Sequence, residues 1–442
     1  MLERMFYAKS IAVVGASPDA RKLGHTILKN LIDGGFKGEL YPINPKADEI
    51  LGKKVYRNLI EIEGEVDLAV IVVPSKFVPS VLEDAGKKGI RNVVIITGGF
   101  REIGGEGEKL ENELLEIAKK YGIRVIGPNC QGINNTHNSM CASWPLITKK
   151  GKIAIISQSG TVSAAFADWL EVENFGLSCF VSLGNKSDVN EVDLIEFFSN
   201  DENTKVISLY IEGVKDGRAF MNVAKECKKP IVVLKPGVTE RGKKAVESHT
   251  KSMAGRDEVF EAACKQAKII RARDFEEFYD FSKALAYLPK LDGNRVLIVT
   301  SSGGAAILAI DVLERHGFNV IYTPEELKEK LREVTPAHAI LDNPIDLTGD
   351  ANAEMYKDVI ELSIELSQDY VDAILVVLGD PIEGASEVIE QCWNEKPIVV
   401  CYTGGGEVER EETKKMQSKE IPVFSTPERA AKALVALRWY YG

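Results

Sequence analysis

The sequence of 442 residues contains no apolar run that approaches the roughly 18 residues needed to cross a bilayer. It has no basic excess, because 55 Lys and Arg stand against 66 Asp and Glu. Binding to nucleic acid requires clustered cations, so no nucleic-acid partner is expected at a formal net charge of −11. The seven cysteines show no CxxC spacing, and the first residues contain no signal-peptide core. We therefore expect a globular cytoplasmic protein with neither a membrane nor a nucleic-acid partner.

What the sequence does contain is an alternation of short β-branched runs with amphipathic helical stretches. This alternation predicts α/β domains with parallel sheets and crossover helices, and the length favours several domains. A first domain is predicted over 1–148, because the periodicity lapses near 144–149. Its predicted strands are Ser10–Val14, Glu39–Ile43, 68–73, 92–97 and Arg124–Ile126.

The remainder of the chain has the form of a duplication. A strand that runs into the loop 157–161 is matched by a strand that runs into the loop 300–304, and the strand 206–211 is matched by 373–378. The pentapeptide Lys-Pro-Ile-Val-Val occurs at 229–233 and again at 396–400. Because these landmarks recur in the same order, we predict two related domains, 149–290 and 291–442.

The first predicted strand leads into a glycine-containing loop, 15–24, that is followed by a helix. Such a turn presents free N–H groups and the positive end of the helix dipole to a phosphate, although an ordinary βα turn has the same form. The loop departs from the dinucleotide pattern GxGxxG, which would place a glycine at Ser17. The second strand is followed by Lys46 instead of the acid that grips a free ribose hydroxyl. If Lys46 is more than a solvated loop residue, it favours a phosphorylated ribose, that of CoA or NADP.

Three further loops, 73–75, 97–100 and 127–132, follow strands and are expected to surround the ligand crevice at the carboxyl edge of the sheet. Cys130 lies in the last of these loops. No activating cation or histidine stands beside it in the sequence, so we interpret it as a packing residue.

One of the five histidines, His249, stands in a polar segment, 244–255, that ends in glycine and is predicted to form a loop. Imidazole has an unprotonated nitrogen near neutral pH and can therefore accept a phosphoryl group. A phosphoryl carrier also needs an acceptor that orients its other ring nitrogen, and Glu212 at the end of a predicted strand could serve. On these residues alone, an ordinary surface histidine stays the alternative.

The two duplicated loops offer candidate phosphate sites, because each begins a predicted helix directly after a strand. Each helix N-terminus carries about half an elementary charge and free N–H donors. A structural turn is the alternative for each loop, as it is for the Asn- and Asp-rich segments 184–188 and 343–350, which we interpret as ordinary turns. The candidate phosphate-binding residues are Ser159, Gly160, Thr161, Ser302, Gly303 and Gly304.

Four segments resemble the NDP-forming acyl-CoA synthetase superfamily, which includes succinyl-CoA synthetase and the ADP-forming acetyl-CoA synthetases. They are Gly-Ala-Ser…Lys-Leu-Gly at 15–24, Tyr-Pro-Ile-Asn-Pro-Lys at 41–46, Ile-Gly-Pro-Asn-Cys-Gln-Gly at 126–132 and Glu-Ser-His-Thr-Lys-Ser-Met-Ala-Gly at 247–255. The resemblance implies a Rossmann-like CoA-binding domain followed by two flavodoxin-like domains of the succinyl-CoA synthetase type.

The resemblance also implies roles for individual residues. His249 would carry the phosphoryl group, Glu212 would orient it, and the two helix N-termini would face it. The residues implied to bind CoA are Gly15, Ser17 and Lys22 at the pyrophosphate, Asn44 and Lys46 at the ribose phosphate, Val73 and Pro74 at the adenine, and Asn129 towards the thioester. Gly98 is a further residue implied to bind the cofactor.

The reaction implied by the resemblance converts acyl-CoA, phosphate and ADP into a carboxylic acid, CoA and ATP, through an acyl phosphate and phospho-His249. The sequence contains no GxxxxGK[ST] motif and no segment that we identify as an ATP-grasp site. The resemblance therefore implies an ATP-grasp beta subunit that holds ADP or ATP with Mg²⁺, in an alpha2beta2 heterotetramer. In succinyl-CoA synthetase, by contrast, the domain that resembles 292–442 belongs to the other subunit.

Two other functions stay open at this point. An NADP-linked oxidoreductase would use the same first domain. A non-catalytic regulator that responds to acyl-CoA would use all three domains without forming phosphohistidine.

Overall fold

The computed structural model describes residues 2–250, 255–366, 370–393 and 396–442. The chain forms two compact units. One runs to Glu171 and resumes from Gly176 to Arg271, and the other comprises Val172–Phe175 and Ala272–Gly442. Among the described residues, no helix combines the length and apolar character that a membrane crossing requires.

The first part of the first unit is a parallel sheet of five strands in the order β2-β1-β5-β6-β7, with a separate small hairpin, β3–β4. The strands are β1 (Ser10–Val14), β2 (Glu39–Ile43), β3 (Glu49–Ile50), β4 (Lys53–Lys54), β5 (Leu68–Ile71), β6 (Asn92–Ile95) and β7 (Arg124–Ile126). The helices are α1 (Glu3–Phe6), α2 (Leu23–Asp33), α3 (Val78–Lys88) and α4 (Glu106–Tyr121).

This sheet agrees closely with the sequence prediction. Strands β1, β2 and β7 have the predicted bounds, and β5 and β6 end two residues early because the chain turns away to form loops. Every residue of β1, β5 and β6 is buried, as expected for parallel strands that are covered on both faces. Since β1 lies between β2 and β5, the loop after β1 leaves the sheet at the topological switch point, where such sheets bind ligands.

The second part of this unit is a sheet of seven strands in the order β14-β13-β12-β10-β11-β8-β9. The strands are β8 (Gly132–Asn135), β9 (Met140–Ser143), β10 (Lys150–Ser157), β11 (Leu177–Ser182), β12 (Val206–Tyr210), β13 (Ile231–Leu234) and β14 (Ile270–Ala272). The helices are α5 (Gly160–Val172), α6 (Glu191–Asn200), α7 (Gly217–Glu226), α8 (Glu240–Thr250) and α9 (Asp257–Gln266).

The hairpin β8–β9 was not predicted from the sequence. It lies within the range 1–148 that we assigned to the first domain, yet β8 pairs antiparallel with β11 of the second sheet. The side chain of Asn135 in this hairpin donates to the carbonyl of Phe6, 3.1 Å away. The hairpin thus joins the two sheets of the first unit.

The second unit contains a parallel sheet in the order β16-β15-β18-β19-β20, with β17 also paired to β15. Its strands are β15 (Arg295–Thr300), β16 (Asn319–Val320), β17 (Ile345–Asp346), β18 (Ala373–Leu378), β19 (Ile398–Tyr402) and β20 (Val423–Phe424). Its helices are α10 (Phe275–Tyr287), α11 (Gly303–Arg315), α12 (Glu325–Val334), α13 (Ala353–Leu366), α14 (Ala385–Cys392), α15 (Glu407–Ser418) and α16 (Pro427–Tyr441). Helix α10 belongs to this unit, although our sequence boundary placed it in 149–290.

The two loops that the sequence analysis matched to each other share the same hydrogen-bond pattern. After β10, the hydroxyl of Ser157 accepts from the N–H of Ser159 at 3.1 Å and donates to the carbonyl of the same residue at 2.7 Å. After β15, the hydroxyl of Thr300 makes the same two contacts with Ser302, at 2.8 and 3.1 Å. Both loops are therefore held in the same turn where a helix begins.

Candidate active site

The loop that follows β1 packs tightly against the start of α2. Gly15 has a φ of +95°, and a Cβ atom there would lie 3.0 Å from the backbone of Val72. A Cβ atom on Gly24 would lie 2.0 Å from the carbonyl oxygen of Gly15. Lys22 occupies the N-cap position of α2, and its side chain forms no capping hydrogen bond. Backbone N–H groups at this helix N-terminus can therefore bind a phosphate.

The residues predicted around the ribose phosphate lie on two adjoining loops. The side chain of Asn44 donates to the carbonyl of Ala16 at 2.7 Å and accepts from the N–H of Lys46 at 2.8 Å. Ser17 is buried, whereas Lys22 and Lys46 are exposed. Asn44 therefore fixes the loop that carries Lys46 to the glycine loop, and both lysines are free to reach an anionic ligand.

The loops after β5, β6 and β7 contact one another at the same edge of the sheet. The hydroxyl of Thr97 donates to the carbonyl of Val73 at 2.7 Å, and the N–H of Asn129 donates to the carbonyl of Thr97 at 2.9 Å. A Cβ atom on Gly98 would lie 3.0 Å from the side-chain oxygen of Asn129. Val73, Gly98 and Asn129 are thus brought together with Pro74, as the sequence predicted for one crevice.

A cavity of about 550 Å³ lies within the first unit, between its two sheets. Four predicted site residues line it, namely Asn129, Ser159, Gly160 and Thr161. Gln131 also lines it, and the side-chain oxygen of Gln131 is buried without a hydrogen-bond partner in the described part of the chain. The cavity thus brings Asn129, which was predicted near the thioester end of CoA, together with residues that were predicted to bind phosphate.

Three cationic residues of this cavity, Arg101, Lys186 and Lys215, were not predicted from the sequence. Lys186 has a positive φ and lies in the segment 184–188, which we had interpreted as an ordinary turn. Its side chain is only 3% exposed and forms an ion pair with Glu191 at 2.8 Å. Desolvation lowers the pKa of Lys215, and the charges of Arg101 and Lys186 lower it further. Three cationic side chains therefore border the cavity, and two of them, Arg101 and Lys186, are paired with the carboxylates of Glu111 and Glu191.

A buried polar network supports this wall. The guanidinium of Arg101 forms an ion pair with Glu111 at 3.0 Å and donates to the carbonyl of Asn185 at 2.8 Å. The side chain of Asn185 donates to Glu102 at 2.7 Å and to Glu111 at 2.9 Å. Burial raises the pKa of Glu102, but hydrogen bonds from Asn185 and from backbone N–H groups outweigh it and lower the pKa. The network fixes the loop 184–188 against the first sheet.

Cys130 lines the cavity but is not suited to act as a nucleophile. Its thiol contacts the carbonyl of Ile95 at 3.3 Å. Burial raises the pKa of this thiol to about 12, so it stays protonated at neutral pH. The structure agrees with the interpretation of Cys130 as a packing residue.

Glu212 lies two residues beyond the end of β12 and is 4% exposed. Its backbone N–H donates to the side-chain oxygen of Gln158 at 2.7 Å. Gln158 directly precedes Ser159, so the Glu212 loop is attached to the predicted phosphate loop. The sequence analysis did not single out Gln158, because its partner lies far along the chain.

The segment around His249 differs from the prediction. We expected a loop, but the backbone of His249 belongs to helix α8, which ends at Thr250. The helix begins with Glu240 and contains Lys and Ala, residues that favour helix formation. The side chain of His249 and residues 251–254 lie outside the described part of the structure. The pairing of His249 with Glu212 stays a prediction.

The second candidate phosphate loop belongs to the second unit. Helix α11 begins at Gly303, and Ser302 precedes it without a side-chain capping bond. A Cβ atom on Gly303 would lie 2.7 Å from a carboxylate oxygen of Asp346. The turn that leads to Ser302, Gly303 and Gly304 has the hydrogen bonds of the first loop, but Ser302 lacks the capping contact that the hydroxyl of Ser159 accepts from the N–H of Val162 at 3.4 Å. The joint action of the two loops stays a prediction.

Three family models match the chain in sequence order. A CoA binding domain matches residues 9–136, a succinyl-CoA ligase like flavodoxin domain matches residues 150–285, and a ligase-CoA domain matches residues 296–441. The predicted fold class, a Rossmann-like CoA-binding domain followed by two succinyl-CoA synthetase-like domains, is confirmed. These domains place the chain in the class of CoA-binding proteins that share their domains with the succinyl-CoA ligases.

The relatives narrow this class. The chain is 45% identical to acetate–CoA ligase [ADP-forming] I subunit alpha of Pyrococcus furiosus, over 99% of this chain and 97% of that subunit. It is 45% identical to acetate–CoA ligase [ADP-forming] of Methanocaldococcus jannaschii, over 99% of this chain but only 63% of that protein. The structure resembles that of acetyl-coenzyme A synthetase 1 of Candidatus Korarchaeum cryptofilum, which was solved in complex with phosphate and ADP. The TM-score is 0.94 and the sequence identity is 40%, and the match covers 100% of this chain and 97% of that chain. The chain belongs to the family of ADP-forming acetate–CoA ligases.

Proposed function

We propose that this chain is the CoA-binding, phosphohistidine-carrying alpha subunit of an ADP-forming acyl-CoA synthetase, with acetyl-CoA as its substrate. The enzyme converts acyl-CoA, phosphate and ADP into a carboxylic acid, CoA and ATP. One observation carries the proposal: one cavity, with Arg101, Lys186 and Lys215 in its lining, joins the loops of the CoA-binding sheet to the helix N-terminus at Ser159–Thr161. The ADP-forming ligase activity in the names of the relatives supports the same reaction.

The chemistry follows from the residues around this cavity. Phosphate at the N-terminus of α5 is stabilised by free N–H groups and by the positive charges of Arg101 and Lys215. It attacks the thioester carbonyl, and the thiolate of CoA leaves to give an acyl phosphate. The imidazole nitrogen of His249, which Glu212 orients, then attacks the phosphorus atom, and the carboxylate leaves with the bridging oxygen. Ser302–Gly304 form the second phosphate site. A covalent relay of this kind divides one difficult transfer into two easier ones.

The proposal includes a partner. An ATP-grasp beta subunit would bind ADP with Mg²⁺, and two subunits of each kind would form an alpha2beta2 heterotetramer in the cytoplasm. The designation of the P. furiosus relative as subunit alpha supports a partner subunit. The M. jannaschii relative supports it as well, because this chain spans 63% of that protein, which leaves room there for a further domain.

The first half-reaction tests the proposal directly. The full chain, supplied with acetyl-CoA and phosphate, should release CoA and form acetyl phosphate, which hydroxylamine traps as the hydroxamate. An acyl-CoA-responsive regulator would bind acetyl-CoA and yield neither product. An NADP-linked oxidoreductase would instead change the nicotinamide fluorescence of bound NADPH on titration. Either result would contradict the proposal.

Lys46→Glu is expected to weaken the binding of CoA about tenfold, since it replaces a charge-assisted contact to the 3′-phosphate with a repulsion. Binding of dephospho-CoA, which lacks this phosphate, should change little. Calorimetric titration of the full chain measures both affinities. Lys37→Glu is the matched control, because Lys37 precedes the opposite end of the same strand, β2. Equal weakening of the two ligands, or tighter binding of NADP than of CoA by the wild type, would contradict the assignment of this site.

Glu212→Gln should slow the phosphorylation of His249 by about 10²–10⁴-fold, because the neutral amide no longer offers a charged acceptor to the imidazole. The rate is measured from acyl-CoA and labelled phosphate with the full chain, alongside the affinity for CoA. Glu226→Gln on the exposed end of α7 is the control for the chemical change. An unchanged labelling rate would exclude Glu212 from the relay, and a loss of CoA affinity would show that its role is structural.

A further inference from the structure

The carboxamide of Gln158 has a fixed orientation. Its oxygen accepts from the backbone N–H of Glu212 at 2.7 Å and from that of Gly213 at 3.3 Å. Both partners are donors only, so rotation of the amide by 180° would set an NH₂ group against two N–H groups. The positions of the oxygen and nitrogen atoms of this side chain therefore follow from its surroundings.

The nitrogen of the same carboxamide is left for a ligand. Gln158 lines the cavity, and none of the residues described in the structure accepts a hydrogen bond from this nitrogen. The nitrogen thus presents N–H donors beside the N-terminus of α5, where Ser159, Gly160 and Thr161 line the same cavity.

Gly213, one of the two residues that hold the carboxamide of Gln158, is itself held on its other side. The ammonium of Lys186 donates to the carbonyl of Gly213 at 2.7 Å and pairs with Glu191 at 2.8 Å. The side chains of Lys186 and Glu191 are 3% and 2% exposed, so this support is buried. A donor that is fixed before the substrate arrives requires no reorganisation during the reaction, which is the condition for effective transition-state stabilisation.

We propose that Gln158 is a catalytic residue whose carboxamide N–H donates to the thioester carbonyl oxygen during attack by phosphate. The inference rests on the proposed function. A phosphate oxygen forms a bond to the carbonyl carbon, and the π electrons of the carbonyl move to its oxygen. The carbonyl then re-forms as the carbon–sulfur bond breaks, and the electron pair leaves with the thiolate of CoA. The helix N-terminus and the cations bind the phosphate. The carboxamide N–H of Gln158, a neutral donor with a fixed position, stabilises the transient oxyanion.

The substitution Gln158→Glu tests the donor role of Gln158 separately from its hydrogen bonds to the backbone of Glu212 and Gly213. A carboxylate keeps acceptors for the two backbone N–H groups but removes the donor. We expect kcat for acetyl phosphate formation by the full chain to fall about a hundredfold to a thousandfold, with unchanged CoA affinity and unfolding temperature. Below the pKa of the introduced carboxyl, its O–H can donate, so the ratio of variant to wild-type kcat should rise as the pH falls from 8 to 5. Gln266→Glu, the same change at the exposed end of α9, should leave the rate unchanged.

Several results would overturn the inference. If Gln158→Glu keeps kcat within about threefold while Gln158→Ala loses it, Gln158 acts only through Glu212. If Gln158→Glu raises only the KM for phosphate, the side chain binds phosphate and does not stabilise the oxyanion. A wild-type chain that yields no hydroxamate from acetyl-CoA and phosphate would contradict the proposed function, and this inference with it. If the wild type forms acetyl phosphate and only the Gln158→Glu variant loses kcat, the result bears on Gln158 and leaves the proposed function intact.

Discussion

A chain that carries His249→Ala is expected to take up no phosphoryl label from acyl-CoA and phosphate, while it binds CoA as tightly as the wild type. No other residue in the proposed relay offers a nitrogen that is unprotonated near neutral pH. The residues proposed to bind CoA lie on loops of the first sheet and next to them, whereas His249 lies on α8. The substitution should therefore separate phosphoryl transfer from CoA binding completely.

The chemistry of the label identifies its site. A phosphoramidate on histidine is labile in acid and stable in base, in contrast to a phosphoserine on the neighbouring Ser248. Labelled wild-type chain should lose the label in acid and keep it in alkali. His316→Ala is the matched control, since His316 is exposed at the end of α11. Label on the His249→Ala chain would refute the relay, and a parallel loss of CoA binding would show that His249 is structural.

The five strands of the first sheet were predicted well because parallel strands covered on both faces appear as short, continuous β-branched runs. The hairpin β8–β9 lacked this signal. Its strand Gly132–Asn135 contains two asparagines that are almost completely buried, Asn134 and Asn135. The side chain of Asn135 donates to the carbonyl of Phe6, a partner far along the chain that a local pattern cannot reveal. The edge where the two sheets of the first unit join was therefore missed.

Some residues of the candidate site were likewise predicted from the sequence, and others were not. Glycine loops such as 15–24 were found from the sequence, because a turn before a helix has a local signature. The cavity wall was not found, because Lys186 and Lys215 become neighbours only through the fold. Gln158 lay inside a segment that we had already selected, but its significance depends on the backbone of Glu212, which is 54 residues away. The helix through His249 was missed because its polar composition suits a loop as well.

The isolated chain is expected to make no ATP from acyl-CoA, phosphate and ADP, although it should form acetyl phosphate and phospho-His249. Its sequence contains no GxxxxGK[ST] motif and no segment that we identify as an ATP-grasp site, so ADP has no evident place to meet the phosphoryl group. A coupled assay for ATP should give no signal above background with highly purified chain. Addition of an ATP-grasp beta subunit should restore continuous turnover, with the two subunits eluting together in gel filtration.

Two control reactions test whether ATP synthesis requires both the beta subunit and His249. The beta subunit alone should be inactive, and the beta subunit with the His249→Ala chain should form acetyl phosphate but no ATP, since the covalent carrier between the two active sites is missing. Wild-type chain that is first labelled and freed from acetyl-CoA should pass its label to ADP only when the beta subunit is present. ATP synthesis that persists in the isolated chain through successive purification steps would mean that one of the three domains binds ADP itself. The division of chemistry between two subunits would then be wrong, while the phosphohistidine relay could still hold, because the relay requires a nucleotide site but not a second chain.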